Sequence, residues 1–92
     1  MGRKRAQAKA AGDLTPEQWS VIVATYGGLC AHCEQAPWAE QDHVVPIAKG
    51  GAHSAGNLVP ACHACNQRKG RRTWWPRRRH PYMAPETQEQ SA

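Results

Sequence analysis

The 92-residue chain has no phenylalanine, no apolar run approaching a membrane span and no internal repeat. Without Phe, any core must be built from a few aliphatic side chains, the four tryptophans and the two tyrosines. The second absence excludes a transmembrane segment and the third a solenoid or propeller. Acidic residues number only seven against twelve Lys and Arg, and Lys49 is the one cation in the middle of the chain. Behind Met1-Gly2-Arg3-Lys4-Arg5 there is no apolar stretch that could serve as a secretory signal, so a reducing compartment, cytoplasmic or nuclear, is expected.

Four cysteines are present, in two Cys-x-x-Cys pairs, Cys30/Cys33 and Cys62/Cys65. A CxxC pair brings two thiolates to one side of a tight turn, and two pairs complete the tetrahedral shell that Zn²⁺ prefers. A disulfide framework does not suit a reducing compartment, and a redox CxxC would need a βαβ pattern that neither pair has. Structural Zn²⁺ is therefore expected on Cys30, Cys33, Cys62 and Cys65. The 28 residues between Cys33 and Cys62 exceed what a minimal zinc ribbon needs, and they contain Asp42, His43 and a Gly-Gly turn.

Residues 1 to 12 lack apolar periodicity and residues 84 to 92 are polar, so both ends are expected to be mobile without a partner. What remains is on the order of 60 residues, a size that buries too little surface to offset chain entropy comfortably. Zinc binding is then part of the folding free energy.

The positive charge falls into two blocks: Arg3, Lys4, Arg5 and Lys9 in the arm, and Arg68, Lys69, Arg71, Arg72, Arg77, Arg78 and Arg79 near the other end. Four thiolates around one Zn²⁺ lower the formal net charge of +5 by two without changing the sign of either block. Clustered cations on a small chain suggest a polyphosphate partner, because each neutralised phosphate releases condensed counterions. The arm reads equally well as a solvated charge run or a localisation signal. The second block, which directly follows the last Cys-x-x-Cys pair, favours a nucleic acid.

The local pattern predicts a small α+β unit. Thr15-Pro16-Glu17-Gln18 reads as an N-cap, a proline at the first helical position and a capping-box glutamine; Trp19, Ile22, Val23 and Tyr26 follow at helical spacing, and Gly27-Gly28 stops the helix. Trp38 to Ile47 reads as one or two short strands, with Pro46 at an edge or strand end. A loop from Lys49 to Gly56 follows, and Asn57-Leu58-Val59-Pro60 leads into Cys62. A short helix is predicted over His63 to Lys69, ended by Gly70.

On that helix Asn66 lies about 100° past Cys65, so the cysteine can face zinc while Asn66 faces a neighbouring cleft, with Lys69 on the same face. Asp42 and His43 are adjacent on extended backbone, so their side chains diverge. In-line phosphodiester hydrolysis needs one group to take a proton from water and a hard cation near the leaving oxygen. Neutral His43 suits the first task. Asp42 and the Asn66 carbonyl offer oxygen donors for Mg²⁺ or Mn²⁺.

Taken together, Cys30-x-x-Cys33, Asp42-His43-Val44-Val45-Pro46, Gly50-Gly51, Asn57-Leu58, Cys62-x-x-Cys65-Asn66 and Lys69-Gly70 resemble the zinc-containing HNH endonucleases of the ββα-metal superfamily. The resemblance spans roughly residues 27 to 70. It implies a zinc-stapled ββα-metal finger with an N-terminal flanking helix and disordered basic tails, divided into a basic arm (1–13), a nuclease domain (14–73) and a Trp/Arg/Pro-rich extension (74–92). It further implies His43 as general base, Asp42 and Asn66 as ligands of the catalytic cation, and Asn57 as the central Asn that braces the loop and orients the histidine. Products would be nicked or cut DNA with 5′-phosphate ends. Small stand-alone members often occur in phages beside packaging genes, which makes packaging proteins candidate partners and a host cytoplasm the setting; a monomer or weak dimer is expected. The competing classes are a non-catalytic zinc module that binds nucleic acid and an adaptor for a larger nuclease or packaging machine. Neither needs the Asp42, His43 and Asn66 set.

Other residues read more plainly. His53 is expected to be an exposed loop histidine, and His32 and His63 to be exposed because four cysteines already fill the zinc shell. His80 sits in a Pro-rich tail and carries no signal. Of Trp74 and Trp75, at least one is expected to close the face left by Trp19 and Ile22 rather than stack on bases. No base-reading motif stands out.

Overall fold

The computed structural model describes residues 14–83; the arm at 1–13 and the tail at 84–92 lie outside the described residues, and so do the expectations about their mobility. Helix α1 spans Pro16–Thr25 and opens as its sequence dictates. The Thr15 side chain accepts from the Gln18 N–H at 3.1 Å, and the Gln18 side chain accepts the Thr15 N–H at 3.0 Å. It closes in a Schellman arrangement: Gly28 N–H donates to Val23 O and Gly27 N–H to Ala24 O, each at 3.0 Å, with both glycines at positive φ.

Two strands follow, β1 (Glu40–His43) and β2 (Leu58–Ala61), paired antiparallel with Asp42 opposite Val59 and His43 opposite Leu58. Helix α2 (His63–Lys69) completes a ββα order, and Gly70 ends it at positive φ. The predicted strand stretch from Trp38 to Ile47 is shorter in the fold, and Asn57 to Pro60, read as a lead into Cys62, supplies most of the partner strand. The physical reason lies in Asn57 and Pro46. Val44 N–H still donates to Asn57 O, but the next N–H, on Val45, goes to the Asn57 side chain instead of a ladder partner. Pro46 has no N–H to continue the pairing, and Ile47 passes exposed into a 3-10 turn, Ile47–Lys49. Pro60 is tolerated inside β2 because that strand has an open edge: its carbonyl points outward to Ala31 N–H at 2.8 Å, so the missing donor would have faced the same side.

The main core joins Ile22 of α1 and Tyr26, its C-cap, to Val44, Val59, Ala31, Ala55 and Met83, with Trp19 and Trp75 packed against it. Full burial of Ile22, Val44 or Val59 contributes about 1.5–3 kcal/mol each. A second cluster gathers the cysteines with Ala61 and Trp74. Trp75 thus closes the face of Trp19 and Ile22, and Trp74 covers the sulfurs. The segment from Trp74 to Met83, expected as an extension beyond residue 73, is packed into the same unit. Trp74 N–H donates to Val44 O at 3.1 Å, and the Tyr26 hydroxyl donates to Arg78 O at 3.1 Å.

His80, which carried no sequence signal, is 2% exposed. Its Nε2–H donates to Leu58 O at 2.8 Å and its Nδ1 accepts from Tyr82 N–H at 3.0 Å, so both nitrogens serve the fold in the neutral ring. Burial holds its pKa below the ordinary histidine value, with the Leu58 bond opposing. A depressed folded pKa means stability that is complete above about pH 6.5 and is lost as pH falls toward the folded value, at up to about 1.4 kcal/mol per pH unit. His80→Gln should lower stability at pH 7 by about 1–3 kcal/mol. In denaturant titrations the gap between wild type and variant should narrow from pH 7 to pH 5.5; a constant gap would contradict this account.

Candidate functional site

The sulfur cluster starts from two local turns. After α1 the chain enters a knuckle in which Cys30 N–H donates to Ala36 O and Glu34 N–H to Cys30 O, each at 2.8 Å, with Glu34 at positive φ. At the other end Cys62 is the N-cap of α2, its sulfur accepting the Cys65 N–H at 3.4 Å. His32 N–H donates likewise to Cys30 Sγ at 3.3 Å. All four Sγ atoms lie within 4.8 Å of one another, and none is in a disulfide. A tetrahedral ion with bonds of about 2.3 Å would separate its sulfurs by about 3.8 Å, so the four are placed to bind a metal such as zinc. Backbone N–H groups of Ala36 and Gln35 lower the Cys33 thiol to about 6, while burial and neighbouring sulfurs push Cys65 up to about 12. One thiolate is favoured and the next opposed. A dication at the centre removes that conflict.

Asp42 and His43 from β1 and Asn66 and Lys69 from α2 line one open cleft with Pro46 and Ile47. Asp42 and Lys69 are buried, at 5% and 3% exposure. Asp42 Oδ1 lies 3.4 Å from Lys69 Nζ, and Oδ2 accepts from His32 Nε2 at 3.0 Å. Lys69 was expected among the DNA-contacting cations; its ammonium instead faces Asp42, because α2 turns it toward β1. His32 was expected to be exposed and is 3% exposed. It lies flat on Trp74, ring centroids 4.2 Å apart at 17°, with Nδ1 buried and without a hydrogen-bond partner. His63 is exposed as expected, its ring on Glu40 at 2.8 Å.

Asn66 is held by a residue that no motif indicated. Its amide nitrogen donates to Glu40 Oε1, and with the His63 contact this holds the Glu40 carboxyl below the ordinary range. Engaging Nδ2 orients the amide and leaves its oxygen as a donor for a hard cation. Strand alternation could have flagged Glu40, since it shares a face of β1 with Asp42.

His43, on the opposite face, is half-buried. Its Nε2 lies 3.0 Å from His53 Nδ1 in the loop, a pairing no sequence pattern indicated. Desolvation first, then the neighbouring His53, holds the His43 pKa below the usual value, against the opposing pull of Asp42. The imidazole is therefore neutral at pH 7, as a proton acceptor must be. Asn57 stays outside the cleft: Oδ1 accepts from Val45 N–H at 2.9 Å, and Nδ2 donates to Val45 O at 3.0 Å and Ala52 O at 2.8 Å. Its amide clamps the end of β1 to the loop. Gly51 makes room for it, because a Cβ there would lie 1.8 Å from Val45 O.

Of the remaining cations, Arg68, Arg71, Arg72, Arg77, Arg78 and Arg79 are exposed. Arg72 reaches back to the α2 carbonyls, donating to Lys69 O at 3.2 Å and Arg68 O at 3.0 Å. Arg78 lies 3.9 Å from Glu34.

Comparison with known proteins gives these residues a setting. A family model described as HNH endonuclease matches residues 29–81, more than half of the chain and all of the elements from the knuckle to His80. The chain is also 44% identical over 45 residues to the CRISPR-associated endonuclease Cas9 of Corynebacterium diphtheriae, an alignment that covers 45% of this chain and 4% of that protein. With the ββα order and the four clustered sulfurs already in place, the match over most of the folded unit leads to one conclusion: this chain belongs to the HNH endonuclease family.

Proposed function

We propose that the chain is a metal-dependent DNA endonuclease in which His43 activates water, and that Cys30, Cys33, Cys62 and Cys65 hold a structural Zn²⁺. The observation that carries this reading is the common cleft of Asp42, His43 and Asn66. Asp42 and Asn66 would hold one cation of the Mg²⁺ or Mn²⁺ class. The donors fit it: a carboxylate oxygen and an amide oxygen are hard ligands, and a carboxylate with two partners keeps lone pairs for a third. When bound, such a cation supplies charge stabilisation at the leaving oxygen.

The protein's own groups do the rest. His43, neutral and half-buried, accepts a proton from water; the water oxygen forms a bond to phosphorus as the bond to the 3′-oxygen breaks, leaving a 5′-phosphate end. Lys69 and His32 hold the Asp42 carboxylate in place, and Glu40 does the same for the Asn66 amide. Asn57 keeps the loop against the end of β1. Arg68, Arg71, Arg72, Arg77, Arg78 and Arg79 would meet backbone phosphates, which positions DNA without reading its sequence.

His43→Ala should lower nicking of supercoiled plasmid by about 10²–10⁴-fold while leaving zinc content and the far-ultraviolet spectrum unchanged. EDTA should stop the wild type and Mg²⁺ or Mn²⁺ restore it; a 5′-labelled duplex with RNA in parallel tests the choice of DNA. Nicking by His43→Ala at the wild-type rate would remove histidine from the mechanism.

For the sulfur site, elemental analysis should find one Zn²⁺ per chain. Cys62→Ser, or a chelator strong enough to strip zinc, should abolish the cooperative unfolding transition, since a core this small loses its clamp. A metal-free protein with an unchanged melting curve would make the ion dispensable.

A further inference from the structure

His53 is an exposed loop residue, yet its ring is aimed. Nδ1 lies 3.0 Å from His43 Nε2, with ring centroids 5.2 Å apart and planes at 52°, the geometry of an in-plane N–H···N bond rather than a stack. The contact is built from both sides. Asn57 donates to Ala52 O, the carbonyl immediately before His53, and clamps Val45, two residues after His43. Gly51 permits that close approach. One amide thus fixes the backbone carrying each imidazole, and the separation of the two rings follows from it.

We infer that His53 is the positioning residue of His43, accepting the His43 Nε2–H on its own Nδ1 and so fixing both the rotation and the tautomer of that ring. The inference rests on the reading of His43 as the group that takes a proton from water. An N···N hydrogen bond has one donor and one acceptor, which leaves two arrangements. If His53 donated, neutral His43 would carry its proton on Nδ1 and have no free lone pair. With His43 donating from Nε2, its Nδ1 lone pair is free and the ring cannot swing away from the cleft. A side chain far along the sequence then does the orienting that a carboxylate or carbonyl does for other catalytic histidines. Because His53 is exposed and outside both hydrophobic clusters, its replacement leaves the fold intact.

The test uses the full-length zinc-loaded chain with saturating Mg²⁺ and a labelled duplex, comparing wild type, His43→Ala, His53→Leu and His53→Asn. Leu keeps bulk and removes the acceptor; Asn puts a side-chain oxygen near the place of Nδ1. His53→Leu should lower kcat about 10–100-fold, because a loosened base loses its near-attack geometry, with KM for DNA changed less than about twofold. His53→Asn should recover at least about a third of the wild-type kcat, and melting temperature and zinc content should not move. In ¹⁵N-labelled free protein, His43 should be the Nε2–H tautomer, and should become a mixture in His53→Leu. Full kcat in His53→Leu with His43→Ala inactive overturns the role of His53 alone, as does equal impairment of Leu and Asn or an Nδ1–H tautomer on His43. Activity in His43→Ala overturns the reading of His43 and this inference with it.

Discussion

Four sulfurs within 4.8 Å cannot remain together as thiolates without a central cation, and most of this structure depends on how that conflict is satisfied. The knuckle carrying Cys30 and Cys33 and the N-terminus of α2 carrying Cys62 and Cys65 are otherwise joined by little: Ala31 N–H to Pro60 O and the small cluster under Trp74. Clamping the two CxxC turns decides where α2 begins relative to β1. Asn66 follows one residue after the last sulfur and Lys69 one turn later, so their approach to Glu40 and Asp42 is set by the sulfur geometry. The 28 residues between the pairs are the length needed to make β1, the loop and β2 and return to the same sulfurs.

A second constraint is local and wholly organic. The loop between the strands is anchored in the core only near its two ends, by Val44 and Ala55, and Asn57 adds three hydrogen bonds from one side chain. That is why pairing stops at Val44 although valine at 45 would continue a strand on propensity alone: the Val45 N–H and C=O are both taken by an amide. The same diversion turns His43 toward the loop and its partner His53.

Signals that act over a few residues were legible in the sequence. The capping box at Thr15, the glycine pair after Tyr26, the span His63–Lys69 with its Gly70 stop, and the two CxxC turns all depend on near neighbours. What was not legible depends on what the chain brings together from a distance. His32 looked like a surplus ligand beside filled sulfur positions, but its ring is turned to Asp42, ten residues on, under Trp74. His80 had no pattern because its partners, Leu58 and Tyr26, come from β2 and the end of α1. Helical spacing put Lys69 on the face of Asn66, but its charge was still counted with the basic block; only the packing of α2 against β1 shows that its ammonium is taken by Asp42, as Glu40 is taken by Asn66. Charge counts along a sequence cannot tell a phosphate-facing cation from one already neutralised.

The burial of Asp42 explains why the sulfur clamp and the cleft are not separate modules. A carboxylate at 5% exposure persists as a charge only with close partners, and here they are Lys69 from α2 and His32 from the knuckle. Breaking one member of such a buried set costs about 3–5 kcal/mol, because the remaining charge is left without compensation. His32 lies between Cys30 and Cys33, and its ring position follows from theirs. Any shift of the sulfurs therefore moves a hydrogen bond on Asp42. The buried Nδ1 of His32 carries an unsatisfied group in exchange, which only a rigid surround of Trp74 and the sulfur cluster can sustain. The metal-binding turn and the acid in the cleft are two ends of one contact path, with a histidine between them.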